Sequence, residues 1–233
     1  MEKELIQHCL SQILVNLEKT TSDKSNKLPR NLGTLSVEGL ALLIRETYCQ
    51  IVRQRGVPLQ DINNSEIDTK IIKIAKWFLS IDWRYGLMLH GGSGTGKTTL
   101  LKALRCVLSQ DCSDICYVGS LELHYRYLRA LELNDNSLFA EYKKKKYLLV
   151  DDLGAEPLRC LYYGVDYSPI QELFEYRYAT QGITICSSNL SEESIHERYG
   201  SRMFDRLQEM FLNLWFNAPS YRKALRKCKC NYN

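Results

Sequence analysis

Residues 91–98 read Gly-Gly-Ser-Gly-Thr-Gly-Lys-Thr, a full match to the pattern G-x-x-x-x-G-K-[ST]. Glycines let the backbone wrap with its amide hydrogens turned inward, which makes an anion nest at the start of a helix. Lys97 is placed to reach β- and γ-phosphates, and the Thr98 hydroxyl is a ligand for Mg²⁺. The flanks agree with this reading. Gly86-Leu-Met-Leu-His90 is a strand-length apolar run before the motif, and Leu100, Leu101, Ala103 and Leu104 open a helix after it. A glycine-rich turn that merely precedes a lysine requires neither flank. The expected nucleotide-binding residues are therefore Gly91, Gly92, Ser93, Gly94, Thr95, Gly96, Lys97, Thr98 and Thr99, with ATP and Mg²⁺ as cofactors.

A phosphate loop also needs an acid at the end of a neighbouring strand. Tyr147-Leu-Leu-Val-Asp-Asp152 supplies two, directly after four apolar residues. Ligands of α/β sheets sit at that carboxyl edge. Asp151 is the expected metal partner, and Asp152 is placed to orient or deprotonate an attacking water. A strand ended by solvated acids is common in isolation. The phosphate loop about fifty residues upstream makes that the weaker reading.

From Tyr85 onward, short apolar runs alternate with helical stretches. They are Gly86–His90, Ile115-Cys-Tyr-Val118, Tyr147–Val150, Ile183-Thr-Ile-Cys186 and Leu212-Asn-Leu-Trp-Phe216. The alternation predicts an α/β fold, a parallel sheet of about five strands with helices on both faces. Residues 1–80 carry helix periodicity instead. Leu5, Ile6, Cys9, Leu10, Ile13, Leu14 and Leu17 form one stripe, and the polar run from Glu18 to Asn31 follows as a linker. A second helix begins near Ser36, with Val37, Leu40, Ala41, Ile44, Tyr48, Ile51 and Val52 as its stripe, and Gly56-Val-Pro58 stops it. A third starts at Ser65-Glu-Ile-Asp68, which fits a capping box, and continues through Ile71, Ile74, Ala75 and Phe78. The expected division is a helical region over 1–80, serving its own packing or docking a partner, and a core with a basic tail over 81–233.

Composition narrows the class. With 45% hydrophobic residues the chain can bury a real core, so wholesale disorder is excluded. No stretch approaches the roughly 18–20 apolar residues of a membrane helix. The Met-Glu-Lys-Glu opening is not a secretory signal, so a cytoplasmic location without membrane contact is expected. Nine cysteines in such a chain read as reduced thiols rather than a disulfide framework. Cys112 with Cys116, and Cys228 with Cys230, lack the spacing of a four-ligand zinc array.

Five further segments carry a family resemblance. Val150-Asp-Asp-Leu-Gly-Ala-Glu156, Ser168-Pro-Ile-Gln-Glu-Leu-Phe-Glu-Tyr-Arg-Tyr178 and Ile185-Cys-Ser-Ser-Asn-Leu190 resemble the AAA+ core of the DnaC/IstB group. Glu197-Arg-Tyr-Gly-Ser-Arg-Met-Phe-Asp-Arg-Leu207 and Ser220-Tyr-Arg222 resemble its DnaC side. The likeness spans about residues 80–225. It implies an ATPase that loads or remodels a replicative DNA helicase, with a sheet lacking a full helical lid. It also implies roles: Asn189 as sensor 1, Arg206 as the arginine finger through which copies self-associate, and Arg222 as sensor 2. Arg202 is a weaker candidate that serves the finger or the subunit interface. One departure stands out. The group's neighbours commonly place Glu after the metal-binding Asp, whereas this chain has Asp152, one methylene shorter. Slow, partner-stimulated turnover is the expectation.

Leu121–Asp135 reads as a helix in which His124, Tyr125, Arg126, Tyr127 and Arg129 mix aromatic and basic residues, as single-strand binders do. The resemblance points to single-stranded DNA here too. Against it stands an ordinary covering helix with Leu121, Tyr125, Leu128 and Leu131 facing the sheet. Lys143–Lys146 and the tail Arg222, Lys223, Arg226, Lys227 and Lys229 add positive charge without nearby acids, which suits a polyanion. Three other functions remain open: an IstB-type helper of a transposase, a phosphotransferase acting on a small acceptor, and a nucleotide-gated binding module with little turnover.

Overall fold

The structure, a computed structural model, describes residue 32, residues 35–55, 65–79, 84–110 and 112–217, and residue 220. The stripe from Leu5 to Leu17, the linker that follows it, Gly56-Val-Pro58, Arg222, the rest of the basic tail and the Cys228–Cys230 pair lie outside the described residues. The chain forms two compact units. One comprises the described residues within 1–82, 94–113 and 217–233, and the other the described residues within 83–93 and 114–216.

The first unit is helical where described. Helix α1 (Val37–Gln54) starts as expected: the Ser36 side chain accepts the Gly39 N–H at 3.1 Å, which satisfies one of the free amides of the first turn. Its stripe of Leu40, Ala41, Ile44, Tyr48, Ile51 and Val52 is buried. It packs against α2 (Ser65–Leu79) and α3 (Lys97–Leu108). Arg45 of α1 meets Asp68 of α2 at 2.7 Å, and the hydrogen bond to that carboxylate raises the guanidinium pKa.

The second unit holds a five-stranded sheet, every pairing of which is parallel. Its strands are β1 (Gly86–Gly91), β2 (Ile115–Gly119), β3 (Tyr147–Leu153), β6 (Ile183–Ser188) and β7 (Phe211–Phe216), in the order β2-β3-β6-β1-β7. All five expected strands are present, with β3 running three residues further than its apolar run. Leu148 and Leu149 are both 0% exposed. Adjacent strand residues point to opposite faces, so this strand is covered on both sides. A short antiparallel hairpin, β4 (Cys160–Tyr162) with β5 (Val165–Tyr167), was not anticipated. Its turn residues Tyr163 and Gly164 both have positive φ, the geometry that suits tight hairpins. Helices α4 (Ser120–Glu132), α5 (Ser137–Lys144), α6 (Pro169–Ala179), α7 (Glu192–Tyr199) and α8 (Ser201–Met210) complete the unit. One apolar core takes Leu123 and Tyr127 from α4, Leu173 and Phe174 from α6, Met203 and Leu207 from α8, and Leu148 and Val150 from β3.

Candidate nucleotide site

The glycine motif lies where its chemistry requires, in the turn from β1 to α3. Its first residue is confined by the sheet. A Cβ on Gly91, whose φ is +142°, would stand 2.3 Å from the Phe216 carbonyl oxygen of β7, so only glycine fits. Before it, the His90 ring stacks on Trp215 at 4.3 Å and 14°, with Nε2 at 3.0 Å from Asn213 Oδ1. Gly96 caps α3 with φ 98° and ψ 0°, a left-handed conformation, and no side chain caps that helix. Lys97 and Thr95 are buried at the motif. The Thr99 hydroxyl accepts a bond from Arg55 Nη1 at 2.8 Å, so that side chain ties α3 to α1.

The twin aspartates stand on a β-bulge. Val150 pairs with Cys186 and Leu153 with Ser188, so two residues of β3 (Asp151 and Asp152) oppose one of β6 (Ser187). Asp151 is buried. Its Oδ1 accepts from the Ser187 hydroxyl at 2.5 Å and its Oδ2 from the Tyr117 hydroxyl at 2.7 Å. Asp152 is exposed with φ +53°. Its N–H donates to Ser187 Oγ at 2.9 Å, and its carbonyl accepts from Ser120 Oγ at 2.6 Å. Asn189, just past β6, points its amide Nδ2 at Asp152 Oδ1, 3.4 Å away. The expected sensor and the expected base are thus neighbours.

Sequence reasoning missed Tyr117, Ser120 and Ser187; the Ser-Ser-Asn end of β6 was the available signal for the last. It also missed the role of Glu156. That carboxylate is fully buried, accepts the Gly154 N–H at 2.8 Å and bonds the Tyr199 hydroxyl and Arg198, which anchors the loop after the bulge. Burial and the nearby Glu156 charge push the Tyr199 phenol well above its usual range.

Arg206 on α8 does not project freely. Its Nη1 bonds Glu175 of α6 at 2.6 Å, and its guanidinium lies 5.5 Å from the Tyr178 ring centre. Arg202 is exposed. Three expectations about charge and contact need correction. His124 and Tyr127 are buried, not presented to a strand of DNA. Burial pushes the His124 imidazole below its usual range, while Glu156 pulls the other way. The opposing face was half right: Leu128 and Leu131 are partly buried against the core, but Leu121 and Tyr125 are exposed, and Leu123, His124, Tyr127 and Ala130 face inward. Long-range bonds choose that face: Ser120 to the bulge, and the Tyr127 hydroxyl to Glu172 at 2.7 Å. The lysine run does have acids nearby. Lys143 meets Glu172 at 2.6 Å, and Lys145 meets Glu141 at 3.1 Å and Asp114 at 3.8 Å. Glu141 stood within one helical turn in the sequence and was overlooked, whereas Asp114 and Glu172 arrive only through the fold.

Each motif carries one hard oxygen donor, the Asp151 carboxylate in one unit and the Thr98 hydroxyl in the other. Among the described residues no cluster of three or more His, Cys, Asp or Glu forms a cage. Few, hard oxygen donors fit Mg²⁺, which keeps several waters and shares its shell with phosphate oxygens.

A family model for the bacterial DnaA ATPase domain matches residues 63–155. The chromosomal replication initiator protein DnaA of Ehrlichia ruminantium (strain Gardel) is 37% identical over 70 residues, and the match spans 29% of this chain and 15% of that protein. The crystal structure of the DnaC helicase loader superposes with a TM-score of 0.52 at 21% identity, covering 66% of this chain and 92% of that one. A replication initiator DnaA bound to AMPPCP and single-stranded DNA gives 0.54 at 17% identity, covering 72% and 52%. No described helix is long and apolar enough to cross a membrane. At these identities the solved structures agree with this chain in fold.

Proposed function

We propose that this chain, whose fold is shared by the solved DnaC helicase loader, binds and hydrolyses ATP to load or remodel a replicative DNA helicase. In this reading the amides of residues 91–98 and Lys97 hold the phosphates, with Thr99 and Arg222 contributing to nucleotide binding. Thr98 and Asp151 hold Mg²⁺, which neutralises phosphate charge when bound. Asp152 orients the attacking water and takes its proton, with Asn189 steadying both through its amide. Arg206 reaches the nucleotide of an adjoining copy, where a cation offsets transition-state charge. The observation that carries the reading is the Asn189–Asp152 pairing beside a buried, doubly hydrogen-bonded Asp151.

The DnaC loader's likeness supports the helicase as partner, and the DNA-bound DnaA supports contact with single-stranded DNA. For that contact the exposed Tyr125, Arg126 and Arg129 of α4 are the candidates. Arg126 and Arg129 also pair with Glu122 and Glu132 of their own helix, each at 3.2 Å. The test uses the full chain. ATP with Mg²⁺ should raise its melting temperature, slow phosphate release should follow, and Lys97→Ala should abolish both. An unchanged melting curve with wild type would remove the ATPase reading. Capture of a transposase instead of a hexameric helicase would redirect it to the IstB-type role.

A further inference from the structure

We propose that Ser187 is a positioning residue that sets both aspartates of the site through one hydroxyl, with Tyr117 fixing the second oxygen of Asp151; this rests on the ATPase reading above. The bonding is forced by valence. The Asp152 N–H can only donate, so Ser187 Oγ accepts it at 2.9 Å, and the single hydroxyl proton then goes to Asp151 Oδ1 at 2.5 Å. Ser187 is 0% exposed, and it is the one residue of β6 facing the two aspartates of the bulge. Its neighbour Ser188 does a different job: it donates to the Leu153 carbonyl at 2.8 Å and accepts the Leu190 N–H at 3.1 Å, which closes the bulge by backbone alone. Tyr117 Oη holds Asp151 Oδ2 at 2.7 Å from β2, on the other side of β3. The carboxylate is thus clamped by hydroxyls from both flanking strands, which fixes the direction in which it faces a metal's water shell. Groups that orient a metal's ligands this way typically change metal affinity or activity about 10–100-fold when removed.

The test compares wild type, Ser187→Ala, Ser187→Thr and Tyr117→Phe. Binding of a fluorescent ATP analogue is followed first in EDTA and then against rising Mn²⁺. In Ser187→Ala, affinity in EDTA should stay within about twofold, because the phosphate loop is untouched. The Mn²⁺ concentration for half-maximal tightening should rise about 10–100-fold, and kcat should fall alongside it. Ser187→Thr keeps the hydroxyl and should recover most of both, while Tyr117→Phe should shift the metal dependence in the same direction by less. A folded Ser187→Ala protein with wild-type Mn²⁺ dependence overturns the proposal, as does a Ser187→Thr protein no better than the alanine variant. If Ser187→Ala fails to fold, an unshifted Tyr117→Phe decides against it. A wild-type protein whose nucleotide binding ignores Mn²⁺ defeats the ATPase reading itself, before any variant is compared.

Discussion

Asp152 carries a backbone reason for its identity. Its φ of +53° lies in the left-handed region, where Asp and Asn sit more easily than other side chains with a Cβ. The bulge that presents both carboxylates therefore favours Asp over Glu at this position. Asp152→Glu should lower stability by about 1 kcal/mol in urea unfolding, because the longer side chain cannot ease the backbone. Asp152→Asn keeps the conformation and should leave nucleotide affinity intact while phosphate release falls at least a hundredfold. Arg177 shows the opposite case, a motif residue with a purely structural task. It is 0% exposed and donates to the carbonyls of Tyr142, Lys143, Lys145 and Ile183 and to the Thr184 hydroxyl. Burial pushes its pKa down to about 10. The guanidinium closes the end of α5, where unpaired carbonyls and the helix dipole favour a cation. Arg177→Met should cost about 3 kcal/mol or more, read as a shifted urea midpoint, since several buried carbonyls lose their donor together.

At the level of elements, α4 joins the core to the proposed site. Its first residue fastens the bulge and its middle is set by Tyr127, whose ring meets Phe139 edge-on at 4.7 Å and whose hydroxyl reaches Glu172. Tyr127→Phe should cost about 1 kcal/mol in the same unfolding measurement, with phosphate release unchanged. The helix was legible from Leu121–Asp135, yet its buried face was not. Two apolar stripes, Leu121–Tyr125–Leu128 and Leu123–Tyr127–Ala130, both satisfy helical spacing. Contacts distant in sequence made the choice. The hairpin β4–β5 escaped notice for a related reason: three-residue strands are too short to show alternation.

For the whole molecule, the Arg206–Glu175 bond has a consequence for assembly. In the proposed role, Arg206 would have to leave Glu175 before it could serve as a finger for a neighbouring copy. Mixing Arg206→Ala, which keeps an intact nucleotide site, with Lys97→Ala, which keeps an intact finger, should restore phosphate release that neither variant shows alone. A mixture as inactive as its components would place Arg206 in a purely structural role.

The glycine motif and the aspartate-tipped strand were readable because each is contiguous in sequence, and so were the five strands, whose apolar runs are clearest in the central β1, β3 and β6 that are buried along nearly their whole length. Sequence alone also dictated the start of α1, where Ser36 serves an amide three residues on. The register of β3 against β6 came only with the fold. That register makes the bulge, turns Asp152 left-handed and brings Ser187 and Asn189 to the carboxylates, while the pairing of β2 with β3 brings Tyr117. Hydrogen bonds between such strands are non-local, and no spacing within one strand encodes which hydroxyl it will meet.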